Sequence, residues 1–263
     1  MSPRSPFTSM IRELKKHAVK TCGRLGIFDR FHFLIIGSAK CGTTSLHSYL
    51  RSHPDVYMPS LDTGVNGETG NFLEHSTESI KGLSNIDIKA SAADILATYD
   101  GEVLIGERST DYTKRPYRSV RIEDIHPGTK IIFLYRNPIE RIRKMYNHHL
   151  KHRPEKTSQY FRDEDVGYYV RTSMYWYQTK PWVNVFDSFC AANIHVDDSH
   201  LFSEITDFLE IPTLGNTLSE RRNVNRSKKL DIELTGDERE RLRRDFRQFQ
   251  DLLESSEATH IKG

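Results

Sequence analysis

Apolar positions along this chain fall into two patterns, short unbroken runs and longer stretches spaced like one face of a helix. "FHFLIIG" (31–37) is a compact apolar run closed by glycine, the form of a strand buried on both faces of a parallel sheet. Thr43 to Ser52 follows, with Leu46, Tyr49 and Leu50 at helical spacing, and stops before His53-Pro54, because a residue ahead of proline disfavours helix. Further strands are predicted at "EVLIGER" (102–108), "TKIIFLYR" (129–136) and "NIHV" (193–196). Between the last two, "NPIERIRKMYNHHLKH" sets Pro138 in a first turn and Ile139, Ile142, Met145, Tyr146 and His149 on one face. Helices are also predicted over the aromatic-rich stretch Tyr168 to Ser188, over "LFSEITDFLEIP", and from near Asp237, where Leu242, Phe246, Phe249 and Leu253 recur.

Strands alternating with helices imply an α/β fold with a mainly parallel sheet flanked by helices. No Gly/Ser/Pro-rich linker or repeat divides the sequence, and 263 residues suit one buried core better than two. Residues 1–30 read as a leader helix or extension and 31–263 as the domain. In the leader, Ile11, Leu14 and Val19 fit a short basic amphipathic helix, and no run is long enough for a signal core or a membrane span.

Composition removes some partners. The 38 basic residues against 36 acidic leave a net of +2, so no charge field points to nucleic acid. The three cysteines, Cys22, Cys41 and Cys190, lack metal-ligand spacing. They suit a reduced, cytoplasmic protein without a metal, and hydropathy and net charge add the expectation of no membrane and no nucleic-acid partner. The oligomeric state is not legible.

The chemistry concentrates after the first strand, in "GSAKCGTTSL" (37–46). A loop between a buried strand and a helix turns backbone N–H groups and a positive dipole end toward the ligand side of the sheet, which favours phosphate. Gly37 and Gly42 keep the spacing of a triphosphate loop, while Thr43 stands where that loop has its lysine and Lys40 lies inside it. "IIFLYR" ends in Arg136 instead of a magnesium-binding aspartate, although Asp197 after "NIHV" keeps a kinase-like phosphotransferase open as an alternative.

"GSAKCGTTSL" resembles the 5′-phosphosulfate loop of sulfotransferases that use 3′-phosphoadenosine 5′-phosphosulfate (PAPS). "YRNPIERIRKMY" (135–146) is similar to the 3′-phosphate motif of that family. "HPDVYMPS", "GERSTDY" and "ITDFLEIP" extend the resemblance over roughly 31–212. It implies one domain of the P-loop nucleotide-kinase-like sulfotransferase fold. It also implies PAPS as co-substrate, adenosine 3′,5′-bisphosphate (PAP) as product, no metal, and a small-molecule or saccharide acceptor sulfated on a hydroxyl or amine.

On that resemblance Lys40 contacts the bridging oxygen of the phosphosulfate. Ala39, Cys41, Gly42, Thr43, Thr44 and Ser45 complete the 5′-phosphate loop. Arg136 holds the 3′-phosphate, and Lys144 falls where the family has a serine, which exchanges a hydroxyl contact for a point charge. Arg141 reads as a helix-face or structural residue and Tyr146 as core. Arg226, Ser227 and Lys228, in "RRNVNRSKK", are candidates for further nucleotide contacts or an exposed basic loop.

The acceptor base is sought in "GETGNFLE", where Glu68 stands for the glutamate of the family's K-E-x-H-F-F after one inserted residue, without its lysine or histidine. Glu107 in "GERSTDY", with Arg108 beside it to aid the sulfuryl group, and His47 or His53 are the other candidates. The departures at "GETGNFLE" and Lys144 also admit a catalytically silent nucleotide-binding relative.

Overall fold

The computed structural model describes residues 31–58, 104–114, 119, 128–152, 167–195, 198–214 and 232–261. The leader, Glu68, Asp197, Arg226, Ser227 and Lys228 lie outside them. In chain order the elements are β1 (Phe33–Ile35), α1 (Thr43–Arg51), β2 (Val56–Tyr57), β3 (Leu104–Arg108), β4 (Lys130–Tyr135) and α2 (Pro138–His152). Then follow α3 (Tyr175–Val185), β5 (Phe189–Asn193), α4 (Asp198–Leu209), α5 (Gly236–Ser255) and β6 (Thr259–Ile261).

The strands form one sheet in the order β2-β3-β1-β4-β5-β6, parallel throughout. Phe33, Leu34 and Ile35 of β1 pair with Gly106, Glu107 and Arg108 on one side and with Lys130, Ile131 and Ile132 on the other. Because β1 lies between β3 and β4, the chain builds outward from β1 in both directions. The ends of β1 and β4 therefore bound the crevice where ligands bind in open α/β sheets.

Alternate residues of the central strands feed two cores, as period two requires. Phe133 and Tyr135 of β4 meet Tyr175, Trp182 and Phe249 from α3 and α5. Ile132 and Leu134 meet Leu46 and Leu50 of α1 and Leu201 and Ile205 of α4. A third cluster joins Ile142, Met145 and Tyr146 of α2 to Tyr169, Val170 and Leu242. Tyr169, Tyr175 and Trp182 are thus core residues, while Tyr177 is exposed.

Two sequence-based expectations require correction. The fourth predicted strand, 193–196, is displaced: β5 runs over Phe189–Asn193 and Ile194 and His195 form a turn. Its buried Cys190, Ala191 and Ala192 are small residues accepted by a strand covered on both faces, so the β-branched signal fell one step too late. The helix expected over 168–188 is broken at Thr172–Met174 and ends at Val185. There the hydroxyls of Thr172 and Ser173 donate to the carbonyls of Tyr168 and Tyr169, and Asp245 accepts the first N–H groups of α3.

Candidate active site

The loop leaving β1 is shaped by close backbone approach. At Gly37 a Cβ would stand 2.4 Å from the backbone N of Leu134, so no larger residue fits where the loop crosses β4. Ser38 N–H donates to the Leu134 carbonyl (3.1 Å) and Cys41 N–H to the Ser38 carbonyl (3.1 Å), which fold the loop back on itself. Lys40 takes φ +68° and Gly42 φ +79°. These left-handed residues turn the chain into α1. Gly42 caps that helix without any side-chain cap, and the first turn holds no acidic residue. The first N–H groups of a helix have no intrahelical acceptor, so this end favours an anion.

The hydroxyls of the first turn are set from β3. Arg108, 3% exposed, donates its Nη1 to Thr43 Oγ1 (3.2 Å) and Thr44 Oγ1 (3.3 Å). A hydroxyl that accepts from a guanidinium keeps its own hydrogen to donate, so Thr43 and Thr44 are oriented as donors. Arg108 is thereby placed behind the loop hydroxyls. Its neighbour Glu107 is fully buried and accepts the Tyr112 hydroxyl at Oε1 (2.5 Å).

Arg136 follows β4 directly and is buried, yet its Nε and Nη1 have no hydrogen-bond partner. Two unused donors on a buried cation are costly unless an anion completes them. Cys41, despite its place in the loop, points its thiol inward, 4.0 Å from the Tyr175 hydroxyl. Burial pushes that thiol up, against the lowering fields of Arg136 and Arg141, and burial holds the Tyr175 hydroxyl well above its usual value. Both groups are neutral at physiological pH.

Helix α2 starts cleanly. Asn137 Oδ1 accepts from Ile139 N (3.0 Å) and Glu140 N (3.3 Å), and Pro138 occupies the first turn. Lys144 lies one turn further along, facing solvent. His195 Nε2 bonds Glu140 Oε2 (2.8 Å), tying the turn after β5 to this helix start. Ala39, Lys40, Thr44 and Ser45 are half-buried along the loop and first turn.

His53 is unsuited to act as a base. Its Nδ1 accepts from Asp55 N (3.1 Å), so the proton sits on Nε2 and is donated to the Pro212 carbonyl (2.8 Å). His47 is buried within α1.

One group was passed over by the sequence reading. Ser38 Oγ is buried in the loop without a hydrogen-bond partner, and nothing in the sequence separates it from an ordinary turn serine. Arg141 is 1% exposed and donates its Nη1 to Thr172 Oγ1 (3.0 Å) and Ser173 Oγ (2.8 Å). This fits its reading as a structural residue, since position 141 falls inside the apolar stripe of α2.

The strand-loop-helix turn before α1 thus favours an anion, the buried Arg136 follows the neighbouring strand, and the sulfotransferase domain model matches residues 30–229. The chain belongs to the sulfotransferase family. Among solved structures, the chain is similar to a sulfotransferase from Alicyclobacillus acidocaldarius, with a TM-score of 0.61 and 24% identity over 86% of this chain and 96% of that one. It is also similar to sulfotransferase STF9 from Mycobacterium avium, with a TM-score of 0.52 and 13% identity over 96% of this chain and 83% of that one. At such identities the likeness is one of fold. A curated relative, the membrane-associated sulfotransferase kil1 of Dictyostelium discoideum, is 26% identical over 145 residues, 54% of this chain. The matched stretch spans 28% of that relative. Among the described residues no helix is long and apolar enough to cross a membrane.

Proposed function

We propose that this sulfotransferase uses PAPS as donor and sulfates a hydroxyl or amine of a small-molecule or saccharide acceptor, releasing PAP. The observation that carries the reading is Arg136, a buried guanidinium with unpartnered Nε and Nη1 at the end of β4, next to an uncapped phosphate loop. A nucleotide with separate 5′ and 3′ anions fits both positions, and the arginine fork suits a phosphate. The buried, unpartnered Ser38 hydroxyl adds a donor in the same loop. The two described cysteines are buried free thiols, which fits a cytoplasmic setting.

When bound, the co-substrate supplies a sulfuryl group whose bond to the 5′-phosphate breaks as its bond to the acceptor forms. Catalysis then rests on positioning and on charge stabilisation at the leaving phosphate. Lys40 is assigned to that charge, held on the loop by its left-handed backbone. Thr43 and Thr44, oriented by Arg108, and the N–H groups at the start of α1 bind the 5′-phosphate. Ala39, Cys41, Gly42 and Ser45 shape the same cradle. Lys144, Arg226, Ser227 and Lys228 are assigned to the rim of the nucleotide site. The acceptor proton goes to a carboxylate, with Glu68 and Glu107 as the candidates.

The test is thermal stability with PAP, with ATP, and with ATP plus magnesium. Stabilisation by PAP without metal is expected. A response to magnesium-ATP alone would overturn the reading in favour of a phosphotransferase.

A further inference from the structure

The short 3₁₀ turn after β3, Tyr112–Lys114, shows two faces. Tyr112 and Thr113 are buried, and Tyr112 donates its hydroxyl to Glu107 Oε1 (2.5 Å) with its ring 6.3 Å from that of Trp182. Asp111 and Lys114, three residues apart and so on one side of such a turn, stay outside. Their side chains are 47% and 33% exposed and form an ion pair. The Lys114 ammonium also stands 5.9 Å from the centre of the Tyr168 ring, whose face attracts a cation. Burial opposes its charge, yet the bond and field of Asp111 raise its pKa overall, so Lys114 stays an ammonium.

This group sits beside the phosphate loop. Ser109 N–H donates to the Ile35 carbonyl (3.0 Å) at the end of β1, and Asp111 N–H donates to Ser109 Oγ (3.2 Å), so the turn departs from the point where the loop begins. Tyr168 packs against the same cluster, built on Ile142, Met145 and Tyr146, as Ala39 of the loop. With the nucleotide assigned to the ends of β1 and β4, the β3 side of the crevice is left for the acceptor. An ion pair this exposed adds little to stability, so folding alone does not account for a lysine held between two elements at that place. The pair is neutral as a whole and draws neither a bare anion nor an amine. It offers carboxylate lone pairs that accept and ammonium hydrogens that donate. Adjacent hydroxyls on one ring satisfy both at once, and the half-buried Tyr168 adds an apolar edge beside them.

Resting on the reading that PAPS is the donor, we infer that Asp111, Lys114 and Tyr168 form the acceptor-recognition site, and that the acceptor is a saccharide held through hydroxyls next to the one that is sulfated. The amine acceptor of the wider reading is thereby set aside.

The experiment is saturation-transfer NMR on protein saturated with PAP. The probes are methyl β-glucopyranoside, methyl β-galactopyranoside and methyl N-acetyl-β-glucosaminide, with tyramine as the amine control. Wild type, Asp111→Asn, Lys114→Met and Lys114→Arg are compared, and PAP affinity and melting temperature are measured on each. At least one glycoside should bind wild type. Asp111→Asn and Lys114→Met should each weaken that binding about 3- to 10-fold, the scale of one lost hydrogen bond, and Lys114→Arg should recover part of it. PAP affinity should not change and melting should stay within about 4 °C, a combination that a purely structural pair would not give. Parallel loss of PAP and glycoside binding would overturn the inference, since the pair would then act through the fold. Binding of PAP without any glycoside, binding of tyramine alone, or equal glycoside binding in all four proteins would each overturn it and leave the donor assignment standing. A wild type that does not bind PAP removes both.

Discussion

A lysine with φ +68° costs stability, since left-handed backbone crowds the Cβ of any residue but glycine by roughly 1–2 kcal/mol. Such strain is retained where a side chain must stand at one place, and Lys40 stands between the glycines of the loop. Two substitutions separate the backbone from the ammonium group. Lys40→Ala and Lys40→Gly should both lower sulfuryl transfer by about 10²- to 10³-fold, the scale of one lost charge-stabilising donor. Lys40→Gly should nonetheless melt roughly 2–4 °C above Lys40→Ala, because glycine alone relieves the strain. Turnover and melting temperature measured on the same preparations check this; equal melting of the two variants would remove the strain from the account.

Helix α5 illustrates coupling between elements. Thr235 caps it in a reciprocal box with Glu238, and that start is legible from the sequence, as are the apolar positions Leu242, Phe249 and Leu253. Asp245, between them, is also buried and accepts the N–H groups of Trp176 (3.1 Å) and Tyr177 (3.3 Å) at the start of α3. Burial raises its carboxyl to about 6 against the lowering effect of those bonds. The folded state therefore holds a proton between pH ~4 and 6 that the unfolded chain releases, so Asp245 makes stability fall as pH rises through that window and then level off. Urea unfolding of wild type and Asp245→Asn at several pH values should show a difference that changes from pH 4 to 6 and is constant above; a difference independent of pH would exclude the ionisation. Such a cap is invisible in one dimension, since the partners lie 68 and 69 residues apart. Pattern reading fared well where an element satisfies itself locally, as in β1, β3, β4, α1 and α2. It missed β5, whose Cys-Ala-Ala core is chosen by the neighbouring layers, and β2 and β6, too short to carry a period. At the candidate site, Lys40, Gly42 and Arg136 could be singled out because one loop and one strand end hold them. Ser38 escaped because nothing local marks a loop serine whose hydroxyl is buried without a partner.

For the molecule as a whole, the sheet order places the loop after β1 and the start of α2 after β4 side by side, while Arg108 of β3 braces the first turn of α1. Three adjacent strands thus aim at one crevice, and binding energy released there should tighten their carboxyl ends together. At a PAP concentration about 100 times its dissociation constant, linkage supplies roughly 2.7 kcal/mol, or about 5–10 °C in a domain of this size. The location of the protection is the sharper measurement. Hydrogen exchange with and without PAP should slow at residues 38–45 and 136–142, where the proposed anion positions lie. The amino end of the sheet, where Lys130 bonds the Phe208 carbonyl (2.8 Å) and Glu210 (2.6 Å), should exchange at an unchanged rate. Uniform slowing across both ends would mean that the nucleotide stabilises the fold without using this crevice, and slowing confined to the edge strands would place the nucleotide elsewhere.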